Sequence, residues 1–321
     1  RPPRSTLFPY TTLFRSLKAE SVQRLALVGP LADHVFRDWY SGSLPYAVTL
    51  RQAIDNRMRD CNIRFASGND IVKLKCTAND HYVRVNAEGK LIADAPSAEQ
   101  AVSLELSDWG LHSHTMRTVD EVESKYVTTD DHHLSATANE IFGWFTKEVL
   151  LLEKDERTRS VRLNTWNQHA VCVEDGGLLA ETEEIGYELA ETFELVKHKD
   201  GLHDAVEAAK QADIAIVVVG NHPLINGKET IDRPDLALPE SQEKLIREVV
   251  SVNPNTVLVI VGSYPFAIDW AGEHVPAIMY TSHAGQEQGE ALADVLLGDY
   301  NPAGRLNATW YRSDVQLPDI M

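Results

Sequence analysis

The chain has 321 residues, of which 43% are hydrophobic and 24% charged, a composition typical of a globular protein and not of a disordered one. Its formal net charge of −18 disfavours nucleic acid and anionic membrane as partners, because both require clustered Lys and Arg. No apolar run approaches the roughly 20 residues of a membrane span, and three scattered cysteines do not form a disulfide framework.

The first 16 residues, RPPRSTLFPYTTLFRS, contain no acidic residue and no periodicity that connects them to the rest of the chain. They resemble translated sequencing-adapter DNA, so we treat 1–16 as non-native and begin the fold at residue 17. The C-terminal end stops without closing an element. We therefore expect a fragment of a longer protein, and the sequence does not indicate its localisation.

Four continuous apolar runs predict strands that are buried on both faces, as in a parallel sheet. They cover residues 25–28, 214–219, 257–261 and 278–281. Helical patterns lie between them at 48–58, 202–211, 239–250 and 286–297. This alternation predicts a layered α/β sandwich made of two segments, 17–70 and 199–321.

Between residues 71 and 198 the alternation stops and the sequence repeats itself three times. Tyr82, Tyr126 and Ala170 are equivalent positions, 44 residues apart, in short apolar runs that are followed by turns and second runs. Three such copies predict an all-β insert, because no single copy can bury its apolar face alone. The pattern resembles the fascin-like family, so we expect a β-trefoil at 71–198 with its ends close together. Such an insert is either structural or a binding surface.

The loop after the strand at 214–219 carries Glu229, followed by Asp232-Arg233. In an open α/β sheet, ligands bind beyond the carboxyl ends of the strands, so a long polar loop there belongs to a candidate site. Retaining glycoside cleavage requires two carboxylates about 5–5.5 Å apart, one as nucleophile and one as proton donor. Taken singly, a loop glutamate is more often a solvated surface residue, so the surroundings of Glu229 decide its role.

Four sequence blocks surround this loop and resemble the C-terminal α/β sandwich of glycoside hydrolase family 3, which includes β-glucosidases and β-xylosidases. The blocks are ALVGPLAD with DWYSG at 26–42, the run at 213–220 with the loop and LALPESQEKLI at 236–246, NPNTVLV at 253–259, and HAGQEQGEALADVLLGDYNPAGRL at 283–306. The resemblance implies that Glu229, three residues before the Asp-Arg pair, is the acid/base. It also implies that the nucleophile is an aspartate on an N-terminal β/α barrel, which this sequence does not contain.

We therefore expect the chain alone to be inactive and its partners to be that barrel and an oligosaccharide or β-glycoside substrate. Seven further residues are predicted to bind substrate: Asp38, Trp39, His222, Asp232, Arg233, His283 and Glu287. Glu287 is also the rival acid/base carboxylate, although its place at a helix start equally suits capping.

Several of these residues have a second interpretation. Trp39 and Tyr40 either offer an aromatic face to a sugar or pack in the core. Asp232 and Arg233 either pair with each other to fix the loop or contact the sugar directly. His222 and His283 either form a hydrogen bond with a substrate hydroxyl or are ordinary loop residues.

A non-catalytic carbohydrate-binding module is the competing function, because a trefoil and a sandwich could hold a polysaccharide without cleaving it. A nucleotide-binding Rossmann protein is disfavoured, because the turn after the first strand reads GPLAD and no Gly-Lys-Ser/Thr loop occurs. The histidines of the insert have no spacing that fixes a tetrahedral metal. We predict no metal and no cofactor.

Overall fold

The computed structural model describes residue 17 and residues 21–119, 123–155, 157–158, 160–229, 233–302, 304 and 306–318. These residues form two compact units. The first comprises the described residues up to Gly68, Leu202–Pro223 and Glu229 onward, and the second comprises Asn69–Gly201 and Leu224–Lys228. The predicted adapter-like segment at 1–16 lies outside the described residues. Among the described residues, none of the helices has the length and hydropathy of a membrane-spanning segment.

The described residues contain seventeen strands and five α-helices. The strands are β1 (Arg24–Val28), β2 (Asn62–Ala66), β3 (Asp70–Cys76), β4 (Tyr82–Val85), β5 (Leu91–Ala95), β6 (Leu104–Asp108), β7 (Ser113–Thr118), β8 (Tyr126–Asp130), β9 (His133–Ala138), β10 (Val149–Asp155), β11 (Ser160–Thr165), β12 (His169–Val173), β13 (Leu179–Ile185), β14 (Thr192–Lys199), β15 (Ile214–Gly220), β16 (Thr256–Val261) and β17 (Ala277–Thr281). The helices are α1 (Leu50–Arg57), α2 (Gly201–Lys210), α3 (Glu240–Val252), α4 (Asp269–His274) and α5 (Gln288–Leu297).

The first unit is built on a five-stranded sheet in the order β17-β16-β15-β1-β2, in which every neighbouring pair is parallel. Every residue of β16 is buried, as a strand covered on both faces requires. The predicted parallel α/β arrangement is confirmed. The apolar-run criterion misses β2, because its sequence NIRFA alternates polar and apolar residues at the edge of the sheet.

Local sequence explains where the helices of this unit begin and end. Thr49 and Gln52 form a capping box at the start of α1, in which each side chain bonds the other residue's backbone N–H. Leu245, Ile246 and Val249 give α3 a buried stripe at helical spacing. α5 ends at Leu297 and is capped by Gly298, whose left-handed φ of 88° is typical of a helix stop.

The second unit is an antiparallel assembly of the twelve strands β3 to β14. Six of them pair in a closed ring that runs β3-β6-β7-β10-β11-β14 and returns to β3. The other six form the hairpins β4-β5, β8-β9 and β12-β13. Val83, Val127 and Val171, which occupy equivalent positions in the three sequence repeats, are all fully buried in its core.

The two ends of this antiparallel assembly lie side by side. β3 and β14 pair, with Ile71 opposite Lys199. The backbone N–H of Gly201 donates to Oδ1 of Asp70 at 3.0 Å, which fastens the exit of the chain to its entry. The chain thus enters and leaves this assembly at adjacent strands.

Candidate active site

The loops that follow the parallel strands of the first unit meet around Asn221, directly after β15. Asn221 is fully buried, and its Oδ1 accepts a hydrogen bond of 3.0 Å from the backbone N–H of Ser263, after β16. The same oxygen lies 3.4 Å from Nε2 of His283, after β17. Asn221 therefore ties three strand ends together. Our sequence interpretation missed it, although an amide directly after a buried strand was the available signal.

An aromatic ring, Phe36, lies among the histidines of this edge. Its centroid is 4.2 Å from that of His222, 5.3 Å from that of His34 and 6.3 Å from that of His283. Burial lowers the pKa of His222 well below its ordinary value, and the neighbouring His283 and His34 add to the effect. Burial lowers the pKa of His283 to about 4, against an opposing contribution from Asp38. Both rings are therefore neutral at neutral pH.

These pKa shifts predict how stability depends on pH. His283 stays neutral in the folded chain down to about pH 4, whereas the unfolded chain protonates it below about 6.5. The unfolded state therefore binds more protons in this window, and stability falls as pH falls from 6.5 toward 4. From the pKa difference, with a discount for the partial exposure of the ring, we expect a loss of roughly 2 kcal/mol by pH 4.5.

Urea unfolding at pH 7 and pH 4.5 measures this loss, and His283→Gln is expected to reduce it. His274→Gln alters an exposed histidine of α4 and controls for the removal of an imidazole as such. An equal pH dependence in wild type and His283→Gln contradicts the prediction.

Glu229 lies exposed on the loop beyond β15, and its Oε2 accepts a hydrogen bond from the hydroxyl of Tyr40. Tyr40 belongs to the loop after β1, where Oδ1 of Asp38 accepts from the backbone N–H groups of Tyr40 at 2.8 Å and Ser41 at 2.7 Å. Trp39 and Tyr40 are 43% and 77% exposed, so neither packs in the core. The structure thus brings together three residues of the predicted site region, Asp38, Tyr40 and Glu229.

Arg233 fixes the far end of the Glu229 loop. Its guanidinium carbon lies 3.4 Å from the ring centroid of Tyr264, a cation–π contact, and its Nη1 donates to the carbonyl oxygen of Pro265 at 3.1 Å. These contacts hold the Arg233 side chain against the segment after β16. Its predicted partner Asp232 lies outside the described residues.

Glu287, the rival carboxylate, precedes α5 but makes no side-chain capping bond there. Its Oε1 instead accepts a hydrogen bond from the hydroxyl of Tyr46. Glu287 therefore occupies the N-cap position without a capping hydrogen bond, because its side chain bonds a residue of the loop after β1. Glu287 is exposed, as Glu229 is.

The segment Leu224–Lys228, which directly precedes Glu229, belongs to the second unit. Nδ2 of Asn226 donates to the carbonyl oxygen of Trp109 at 2.9 Å, and Nζ of Lys228 donates to that of Trp144 at 2.7 Å. Burial lowers the pKa of Lys228. No sequence pattern predicts these bonds, because both acceptors are backbone atoms more than 80 positions away. Within the described ranges, no three His, Cys, Asp or Glu side chains are grouped so that they could hold a metal.

The fold and the candidate site define an α/β protein with a site beyond the carboxyl ends of its parallel strands and a large antiparallel segment within the chain. Residues 17–320 match the family described as Glycosyl hydrolase family 3 C-terminal domain, and the chain belongs to this family.

Curated relatives are named as glycosidases. A β-glucosidase of Rhizobium radiobacter is 38% identical over 171 residues, which cover 52% of this chain and 20% of the relative. A β-xylosidase of Formosa agariphila is 33% identical over 120 residues, or 37% of this chain and 16% of the relative. The matched segments thus span about a sixth to a fifth of the length of these relatives.

Among solved structures, the β-glucosidase from Kluyveromyces marxianus in complex with glucose aligns with a TM-score of 0.51 and 18% identity. The alignment covers 97% of this chain and 40% of that one. At this identity the similarity supports a shared fold.

Proposed function

We propose that this chain supplies the acid/base half of a retaining β-glycosidase active site, which hydrolyses O-glycosyl bonds of β-glucosides or β-xylosides. One observation carries the proposal. Glu229 is held by a phenol donor on the loop beyond β15, at the sheet edge where open α/β folds bind ligands. Membership of the family and the names of its relatives give the reaction class.

In the proposed reaction, Glu229 first donates a proton to the glycosidic oxygen as the bond to the leaving group breaks. It then takes a proton from the water that attacks the glycosyl-enzyme, as a retaining mechanism requires. The proposed nucleophile is an aspartate on a β/α barrel that is not part of this sequence, as the family resemblance implies. His222, His283 and Asp38 are proposed to contribute to binding the sugar, with Trp39 as an exposed aromatic face.

Nδ2 of Asn221 and Nδ1 of His283 are buried polar atoms of this edge that have no hydrogen-bond partner in the parts of the chain that the structure describes. Such atoms are uncommon in folded proteins, and a water molecule or a polar ligand group would have to enter the edge to satisfy them.

We further propose that the second unit is a β-trefoil inserted at 71–198 between the segments 17–70 and 199–321 of the α/β domain. The support is a closed ring of six strands, three hairpins and three sequence repeats. The bridges Lys90–Ser135 and Ile92–Leu178 and the pairing of Ala180 with His133 link the three hairpins to one another, as a threefold arrangement requires.

The test compares the complete protein, expressed from its native gene, with the present chain on a panel of aryl β-glycosides. We expect the complete protein to hydrolyse an aryl β-glucoside or β-xyloside and the present chain to hydrolyse none. Binding of oligosaccharides without turnover by the complete protein would establish the carbohydrate-binding alternative. Turnover by the present chain would overturn the assignment of the nucleophile to another domain.

A further inference from the structure

The loop after β1 carries two tyrosine hydroxyls, and each donates to one of the two rival carboxylates. Tyr40 bonds Glu229, which lies 189 positions further along the chain, and Tyr46 bonds Glu287, which lies 241 positions further. Both tyrosine rings are more than half exposed, so packing does not explain why they occupy these positions. The arrangement gives each carboxylate a donor from the same loop.

The backbone at Tyr40 belongs to a turn that is closed by hydrogen bonds of the Asp38 and Ser41 side chains. Oδ1 of Asp38 accepts from two successive backbone N–H groups, as an Asx turn does, and Oγ of Ser41 donates to the carbonyl oxygen of Asp38 at 3.0 Å. The hydrogen bond to Glu229 is the main cause that raises the pKa of the Tyr40 phenol. Tyr40 therefore remains protonated and able to donate at any pH at which a glycosidase works.

We propose that Tyr40 is a positioning residue that fixes the Glu229 carboxyl group for proton transfer, and this inference rests on the proposed function of Glu229. A glutamate on an exposed loop otherwise samples several rotamers. Proton transfer requires the carboxyl oxygen within hydrogen-bond reach of the leaving oxygen. A displacement of about 1 Å at a reacting group can cost up to about 100-fold in rate.

The experiment uses Tyr40→Phe and the matched Tyr46→Phe in the complete protein, with two aryl glycosides of the preferred sugar. A dinitrophenyl glycoside needs little protonation of its leaving group, whereas a methoxyphenyl glycoside depends on it. Tyr40→Phe is expected to lower kcat/KM about 10-fold on the methoxyphenyl glycoside and less than about 2-fold on the dinitrophenyl glycoside. Tyr46→Phe is expected to change both by the same factor.

A second measurement follows the hydrogen bond between Tyr40 and Glu229 directly. The absorbance at 295 nm, which reports phenolate formation, is measured against pH in the wild type and in Tyr40→Phe. The difference between the two curves isolates the ionisation of Tyr40. In a Glu229→Gln background, where the anionic acceptor is gone, Tyr40 is expected to ionise at lower pH than in the wild type, because a neighbouring carboxylate disfavours the phenolate.

The outcomes separate this inference from the proposed function. Two results overturn the positioning role and leave Glu229 as the acid/base. In the first, Tyr40→Phe lowers kcat/KM equally on both substrates. In the second, Tyr40→Phe does not lower kcat/KM although Glu229→Ala is inactive on methoxyphenyl glycosides. A selective loss in Tyr46→Phe alone transfers the acid/base to Glu287 and overturns the proposed function as well.

Discussion

Replacement of Glu229 by Ala is expected to lower kcat/KM of the complete protein for glycosides with poor leaving groups by about 10²- to 10⁴-fold. The reason is that general acid catalysis contributes most where the leaving oxygen is basic. This factor corresponds to about 3–5 kcal/mol of transition-state free energy. On dinitrophenyl glycosides, whose leaving groups depart without a proton, kcat/KM is expected to change little.

The rescue of Glu229→Ala by added azide is the second part of this test. In the proposed mechanism Glu229 is also the base that activates water, so Glu229→Ala should accumulate the glycosyl-enzyme on activated substrates. Azide is an anion that attacks without a general base and fits the space vacated by the carboxyl group. Added azide is therefore expected to restore turnover on the dinitrophenyl glycoside and to yield a glycosyl azide with the substrate's anomeric configuration.

Glu287→Ala is the matched control, because it removes the other carboxylate that a tyrosine of the same loop contacts. We expect it to affect both leaving groups by the same factor and to show no rescue by azide. If Glu287→Ala shows the leaving-group dependence while Glu229→Ala retains normal rates, the acid/base is Glu287.

Gly220→Ala is expected to destabilise the protein by about 4 kcal/mol or more, through an effect on the backbone at the centre of the parallel sheet. Gly220 ends β15 with a φ of 149°, and a Cβ there would lie 1.7 Å from the carbonyl oxygen of Val261 on β16. Backbone atoms cannot move aside as a flexible side chain does. The same carbonyl accepts the N–H of Asn221 at 3.2 Å, so the distortion would also reach the candidate site.

Urea denaturation measures this effect, with Gly272→Ala as the control. Gly272 lies in α4, where a Cβ meets nothing within 4 Å, so alanine is expected to stabilise the protein by about 0.5–1 kcal/mol. An unfolding midpoint of Gly220→Ala close to that of the wild type would show that β15 and β16 separate easily at this end.

Elements with a single dominant signal could be predicted from the sequence. β15 and β16 are continuous apolar runs, and the predicted and observed bounds differ by one residue at most. The repeats located the hairpin strands β4, β8 and β12, because Val83, Val127 and Val171 recur at the same interval. β3, β7 and β11 have no such signal, since charged residues such as Lys73, Arg117 and Arg162 interrupt their apolar patterns.

The strand that leads to Glu229 could be predicted from the sequence, whereas the contacts of Glu229 could not. β15 ends at Gly220, one residue beyond its predicted bound, and the loop with Glu229 follows it. The donor from Tyr40 depends on how two distant loops meet, and no local pattern encodes that meeting. The buried states of His222 and His283 likewise arise from the packing of several strand ends and not from their own sequence neighbours.

The adjacent ends of the antiparallel unit have a consequence for the order of folding. Arg24 and Asp213, where β1 and β15 begin to pair, are 189 positions apart in the chain. If the closed ring forms first, the paired ends of β3 and β14 bridge most of that distance, and β1 meets β15 across an effective loop of about 60 positions. The entropy of closing that loop then falls by about 1 kcal/mol. Early closure of the ring would therefore accelerate assembly of the parallel sheet, so the long interruption need not slow folding.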